Sequence, residues 1–416
     1  MKPGQPADRC GANSDGVSRE MREVLALFRL GKGGFSMADD NTVYITARYR
    51  VPWQQDVTKR AEHIAVGMTV GSWTDLPDAR KPHLRRYLGQ VKDVWRDGSD
   101  ALMDIQYPLE NVRPHIASLL TVVFGKVSLD GQIRLEGLEL PSAYTDQFPG
   151  PRWGIPGIRQ ILNVPQRPLV MSIFKSENGR YLDEFADAFE AQINGGVDLV
   201  KDDEIFLADQ FAPLVERIQV ARDRLNERTQ RTGQKGLYIV NVNGSPATIL
   251  KTCEKAARAG ADGFLISGYT VGLDILSDIR RENIPGILVL HPAFVGGQIA
   301  DSHFGVHPAI LLGTLPRLAG ADIVLYPSPY GSVSLPAADS FAVAENLRAS
   351  DDGHLPVWPG PSAGIHVGML PTLFRDFGPD VIINAGGAVH GHPDGTEAGA
   401  RVLVEAAQRF QEVTAQ

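Results

Sequence analysis

The sequence predicts an α/β protein in which a C-terminal (β/α)8 TIM barrel follows a smaller α+β domain of ferredoxin-like type. Three observations predict it. From Pro168 onward, eight near-continuous apolar runs alternate with segments of helical periodicity, as expected of parallel strands buried on both faces and linked by helices. Ahead of residue 150, strand-like runs alternate with two helical segments, the pattern of an α+β unit. Between the two parts FPGPRWGIPGIR, residues 148–159, is rich in Gly and Pro and reads as a turn-rich link.

Residues 1–40 are rich in Gly, Ser and Asp, with one short amphipathic stretch from Val17 to Leu30. They read as a flexible N-terminal extension, and Met37 is an alternative start. Residues 41–150 form the smaller domain. Its strands are expected at Val43–Tyr49, Gln90–Trp95, Ala101–Tyr107 and Lys126–Leu129, and its helices near Thr58–Met68 and Val112–Thr121. Residues 151–416 form the barrel, with strands expected at 169–174, 197–200, 237–242, 263–267, 287–290, 322–326, 355–358 and 381–384. Helical patterns fall between them at Leu182–Ile193, Pro213–Thr229, Pro246–Ala259, Pro308–Leu318, Phe341–Ala349 and Glu397–Gln411.

Composition narrows the class. The chain has 416 residues, 43% hydrophobic and 22% charged, which suits a globular protein of two domains. A formal net charge of −8 argues against a nucleic-acid partner. Two cysteines, Cys10 and Cys253, make neither a disulfide framework nor a cysteine zinc site, and a reducing cytoplasm fits. No apolar run reaches the length of a membrane span, and Val24–Phe28 is too short for a signal-peptide core.

Active sites of such barrels form at the C-terminal strand ends. The second strand runs GGVDLVKDDE, residues 195–204, so an amine and three carboxylates crowd one terminus. Lys201 and Asp203 lie two apart and face one side of an extended chain, and Glu204 can join them where the strand curls. Oxygen donors at this spacing suit Mg2+; taken alone, the run also fits a solvated loop. The third strand ends in Asn241-Val242-Asn243-Gly244, which offers only a polar mouth. The fifth ends at His291, a candidate proton relay or substrate donor and equally a structural histidine. The seventh and eighth end in Pro361-Ser362-Ala363-Gly364 and Asn384-Ala385-Gly386-Gly387. Glycines admit close approach of backbone N–H groups to an oxyanion, and these loops are the usual barrel phosphate site, so Ser362, Gly364, Gly386 and Gly387 are candidate phosphate contacts. The HGHPDG run at 390–395 reads as a turn before the last helix rather than a metal site.

GGVDLVKDDE resembles the metal-site motif of the RuBisCO large-chain family, and the resemblance runs from about residue 42 to the C-terminus. It implies that CO2 carbamylates Lys201, giving an anionic oxygen ligand for Mg2+ beside Asp203 and Glu204. It also implies that Lys175 is the catalytic lysine ending the first strand and that His307 lies near the phosphate. The match is incomplete. The segment after the sixth strand, YPSPYGSVSLPAA, carries no lysine. Glu177 stands at the family's second lysine, Pro292 at its phosphate-gripping arginine and Val122 at its small-domain asparagine. These losses imply a RuBisCO-like protein acting on a phosphorylated small molecule, with one phosphate, rather than a ribulose-bisphosphate carboxylase.

GMTVGSWTDLP (67–77), VFGKVSLDG (123–131), MSIFK (171–175), HPAF (291–294), YPSPYGSV (326–333) and PSAGIH (361–366) are most similar to the RuBisCO-like enolases that act on 2,3-diketo-5-methylthiopentyl-1-phosphate. That resemblance implies Lys126 as the base that removes the substrate proton. It further implies a homodimer with shared active sites, or a higher oligomer built from it, because the small domain reaches a neighbouring barrel. The expected reaction is Mg2+-dependent enolisation of a phosphorylated ketone. The alternative is decarboxylation or C–C hydrolysis of a phosphorylated β-keto sugar acid of the 3-oxo-isoapionate-4-phosphate type.

Overall fold

The computed structural model describes residues 42–71 and 81–414. The expected extension, Cys10 and most of the 67–77 motif lie outside the described residues. Strands β1 (Tyr44–Pro52), β2 (Gln90–Asp97), β3 (Asp100–Pro108) and β4 (Arg134–Glu139) form an antiparallel sheet in the order β4-β1-β3-β2. With helices Val57–Gly67 and Ile116–Phe124 between them, this is the expected ferredoxin-like βαββαβ unit. Period-two patterning sets its faces. Ile45, Ala47, Tyr49 and Val51 are buried with Ile64, Leu119 and Val123 of the helices, while Arg48 faces away and pairs with Asp104 at 2.7 Å.

The fourth strand is not where the sequence placed it. Lys126–Leu129 is a turn of 3-10 helix directly after Gly125. Val127 alone tucks into the core and Leu129 is 86% exposed, so the apolar alternation there meets no layer that would make it a strand.

The barrel strands are β5 (Leu169–Ile173), β6 (Leu199–Lys201), β7 (Leu237–Asn241), β8 (Gly263–Ile266), β9 (Ile287–Leu290), β11 (Ile323–Pro327), β12 (Trp358–Ser362) and β13 (Ile382–Ala385). All pair in parallel, in the order β12-β11-β9-β8-β7-β6-β5-β13. Leu169, Met171, Leu199, Leu237, Ile239, Leu265, Val289, Leu325 and Ile382 fill the interior, while alternate residues such as Val170, Val200, Val240 and Phe264 pack outward. Strand β10 (Gly305–Val306), which the sequence did not announce, leaves the barrel and pairs in parallel with β4. The Asp274 carboxylate accepts the Ile116 and Ala117 N–H groups at 2.8 Å each, so a barrel residue caps a small-domain helix. Among the described residues no helix is long and apolar enough to cross a membrane.

Two further expectations shift. The seventh strand was expected at 355–358 and lies at Trp358–Ser362, WPGPS, paired in register with Ile323–Pro327. Its prolines obscured it. Trp358 donates to the Asp322 carbonyl toward β11, so Pro359 and Pro361 fall on the β13 side, where their missing N–H groups prevent a regular ladder. A side-chain bond from Asn384 Nδ2 to Ser362 Oγ, 2.7 Å, bridges that seam.

The expected link at 148–159 contains most of a helix, Gly154–Leu162, whose Ile155, Ile158 and Leu162 plug the barrel's N-terminal end. Pro156 sits in its first turn, where proline is tolerated. The buried Asp322 carboxylate accepts the Trp153 and Gly154 N–H groups at 2.8 and 3.0 Å and the Leu288 N–H at 2.9 Å, and pairs with the buried Arg280. Asp322→Ala strands that guanidinium, and its expected cost is about 3–5 kcal/mol in urea unfolding. A loss below about 1 kcal/mol, the worth of an exposed pair, would refute this role.

Candidate active site

Strand β6 delivers its acidic cluster in two directions. Asp202 points outward and is fully buried. It accepts the Arg217 guanidinium at 3.0 Å, the Asn241 N–H at 2.9 Å and the Tyr238 hydroxyl at 2.5 Å, which fixes the strand to its helix layer. Lys201 and Asp203 take the other side. Lys201 is fully buried, and its Nζ donates to the Asp202 carbonyl at 3.0 Å. Burial lowers its pKa, against the opposing pull of Glu204 and Asp203.

Asp203 accepts Lys175 Nζ on Oδ2 at 2.7 Å, while its buried Oδ1 has no partner. Burial acts to raise its pKa, but hydrogen bonds with Glu204 and Lys175 outweigh this and hold the carboxyl below its ordinary value. Glu204 is shifted upward, by burial first and then by its bond with Asp203. His291 closes the group, with Nε2 3.3 Å from Glu204 Oε2. Burial, followed by the Lys201 charge, pushes the imidazole pKa down to about 3, so the ring is neutral. Because Nδ1 accepts the Ala293 N–H at 3.2 Å, the ring proton belongs on Nε2, facing Glu204.

The loop after β5 is stitched to the loop after β6. Glu177 Oε2 accepts the Asp203 N–H at 2.5 Å. Asn178 donates to the Ile205 carbonyl at 3.1 Å and accepts the Leu207 and Ala208 N–H groups at 3.3 Å. Glu177 is thus a prop for the acidic loop. Burial, then the nearby Asp202, raises its pKa to about 9. A free glutamate titrates near 4.3, so as pH rises the unfolded chain releases this proton first. The stability contributed by the protonated carboxyl is complete below about pH 4.3 and is lost progressively toward pH 9. Glu177→Gln keeps an acceptor and cannot ionise. It is expected to flatten the decline in urea-melt stability between about pH 5 and 9 in EDTA; parallel curves for the two chains would contradict it.

The structure brings Lys175, Lys201, Asp203, Glu204 and His291 into one connected group. Ser362, Gly364, Gly386 and Gly387 lie at or just beyond the ends of β12 and β13, and β13 pairs with β5. Ser362 Oγ donates to the Gly360 carbonyl at 2.7 Å. A Cβ on Gly386 would sit 3.0 Å from Lys175 Cε, so this glycine makes room for the Lys175 side chain. A Cβ on Gly387 would meet nothing within 4 Å.

Two other candidates lie elsewhere. His307 donates its N–H to the Leu135 carbonyl at 2.8 Å, and its Nε2 is 3.5 Å from Asp339, which places it where the barrel joins the small sheet. Burial lowers its pKa. Lys126 belongs to the small domain, with Nζ 3.2 Å from the Gly67 carbonyl. The turn reading of HGHPDG is consistent with His390 bonding the Ile173 carbonyl at 2.9 Å and His392 accepting the Asp394 N–H. Sequence reasoning missed Asn241 and Asn243, which bond the acidic loop directly; their one signal was two amides closing an apolar strand.

A barrel whose second strand ends in a buried lysine and two facing carboxylates, preceded by a ferredoxin-like domain, defines a class that the comparisons name. Residues 154–331 and 348–414 match the family of the ribulose bisphosphate carboxylase large chain, catalytic domain, and the chain belongs to that family. It is 44% identical over 358 residues to the 2,3-diketo-5-methylthiopentyl-1-phosphate enolase of Exiguobacterium sibiricum, covering 86% of this chain and 90% of that protein. A rubisco-like protein (MtnW) from Alicyclobacillus acidocaldarius superposes with a TM-score of 0.82 at 42% identity, over 89% of this chain and 94% of that one. The octameric ribulose-1,5-bisphosphate carboxylase/oxygenase of Pyrococcus horikoshii also reaches 0.82, at 27% identity over 89% and 88% of the two chains.

Proposed function

We propose that this chain is a Mg2+-dependent enolase of 2,3-diketo-5-methylthiopentyl-1-phosphate rather than a carboxylase. The observation that carries the chemistry is Lys201, a fully buried amine of lowered basicity beside two carboxylates. The substrate rests on the 44% identity to an enolase of that name.

A metal fits this donor set. Asp203 Oδ1 is buried without a partner, and oxygen donors suit Mg2+. Asp203 and Glu204 supply two such donors, and Lys201 beside them can supply a third protein oxygen. Addition of CO2 to the neutral Lys201 amine forms an N–C bond, releases a proton and supplies it as a carbamate. The carbamate, Asp203 and Glu204 would then hold Mg2+, which when bound supplies Lewis-acid polarisation of a substrate ketone.

The remaining roles fall to side chains. Lys126 of the partner subunit takes the proton from the carbon next to the ketone, as general base. Lys175 offers an ammonium beside Asp203, and the His291 Nε2–H is a neutral donor beside Glu204. Ser362 and the backbone at Gly364, Gly386 and Gly387 receive the phosphate at the β12 and β13 ends; His307, held between Leu135 and Asp339, takes no part in this reading. The same proposal includes the division into domains at about residue 150, a homodimer with shared sites and a cytoplasmic setting.

The test is 31P and 13C NMR of the chain, activated with Mg2+ and bicarbonate, on the diketone phosphate. Prompt appearance of the enol is expected. An unchanged diketone would overturn the substrate assignment and direct attention to CO2 release from a phosphorylated β-keto acid.

A further inference from the structure

Consecutive residues of a strand point to opposite faces, so Asp203 and Glu204 would diverge if β6 simply continued. They converge instead, because the chain curls after Asp203. The curl is centred on one side chain from the next strand. Asn241 Nδ2 donates to three backbone carbonyls of the acidic loop: Asp203 at 3.1 Å, Glu204 at 3.1 Å and Phe206 at 3.0 Å. Its Oδ1 accepts the Asn243 N–H at 3.0 Å, so the amide cannot turn over without setting donor against donor. Its own N–H is held by Asp202 at 2.9 Å. Asn243 adds a second donor to the Glu204 carbonyl at 3.3 Å and is itself anchored by Ser267, whose N–H reaches Asn243 Oδ1 at 2.7 Å.

We propose that Asn241 is a positioning residue for the metal ligands, with Asn243 as its support: the Asn241 carboxamide bends the loop so that Asp203 and Glu204 present their carboxylates to one ion. The inference rests on reading those two residues as metal ligands. Two N–H groups of one buried amide are shared among these three carbonyls. Aspartate would turn a carboxylate toward three carbonyl oxygens. Alanine would leave those carbonyls unpaired in a buried position, at a cost that the loop escapes by opening.

The experiment is Mn2+ binding to the full chain in bicarbonate-containing buffer, followed by EPR and titration calorimetry, with Mn2+ standing in for Mg2+ as an oxygen-seeking ion. Asn241→Ala and Asn241→Asp are expected to raise the Mn2+ Kd by roughly 10–100-fold, as loss of an outer partner does elsewhere, and to change the Mn2+ spectrum. Asn243→Ala, which leaves the Asn241 bonds in place, is expected to raise it by only a few-fold. Ser277→Ala removes a different buried bond, to the Ala319 carbonyl, and is expected to leave the Kd unchanged, which separates positioning from general loosening. Folded Asn241 variants with wild-type Kd and spectrum would overturn the proposal. If those variants do not fold, Asn243→Ala decides alone, and an unchanged Kd overturns it. A wild-type chain that binds no Mn2+ would overturn the metal reading and this inference together, whereas a binding wild type with unaltered variants would overturn the inference only.

Discussion

Lys201→Met is expected to abolish turnover while leaving the fold at least as stable as before. Loss of a metal's Lewis-acid contribution is worth several kcal/mol, so kcat should fall by about a thousandfold or more. The stability half of the expectation follows from burial. Lys201 is fully buried, and its pKa is lowered mainly by that burial. The unfolded chain therefore binds this proton more readily than the folded one, and stability rises with pH up to the ordinary lysine value. At neutral pH the lysine costs stability, and a methionine of similar length removes that cost. Melting temperature and kcat, measured on the same preparation, should thus move in opposite directions or only kcat should move. Wild-type activity should also fall in CO2-free buffer and return on adding bicarbonate. Retention of more than about a tenth of wild-type kcat in Lys201→Met, a loss under 1.4 kcal/mol, would remove Lys201 from the mechanism.

The pairing of Lys201 with Asp203 was legible because it depends only on the two-residue period of a strand. Glu204 lies beside them where the chain curls, but what bends the chain there is an amide nearly forty positions away in sequence, and no local pattern carries that. The same limit explains Glu177. It stands after a strand at the family's second lysine, yet it turns inward to accept the Asp203 N–H. The barrel strands showed themselves wherever they were runs of Val, Ile and Leu. WPGPS escaped because its strand character comes from pairing with β11 rather than from its own propensity. Gly154–Leu162 escaped for a related reason: its Gly and Pro content spoke for a turn, and the Asp322 cap that starts the helix comes from a distant strand. Lys126–Leu129 failed in the opposite sense, with apolar alternation but no layer to bury Leu129.

Mixing two inactive chains is expected to restore activity. In the proposed two-fold dimer each site joins the barrel of one subunit to Lys126 of the partner subunit. Lys126→Ala disables every site of its homodimer, and so does Lys201→Ala. A dimer with one copy of each has one site that combines an intact Lys201 with an intact Lys126, and one site lacking both. Random assortment of a two-fold dimer makes half of the dimers mixed, so co-expression should recover about a quarter of wild-type activity per chain. The placement of Lys126 in the small domain, with Nζ at the Gly67 carbonyl rather than in the connected group around Asp203, motivates this arrangement. A site completed within one chain predicts something different, because mixing would then produce no intact site and no recovery. A base other than Lys126 predicts a third outcome, in which Lys126→Ala alone retains most of its turnover. Activity measured on the two single variants and on their co-expressed mixture therefore distinguishes a shared site, a self-contained site and a misassigned base.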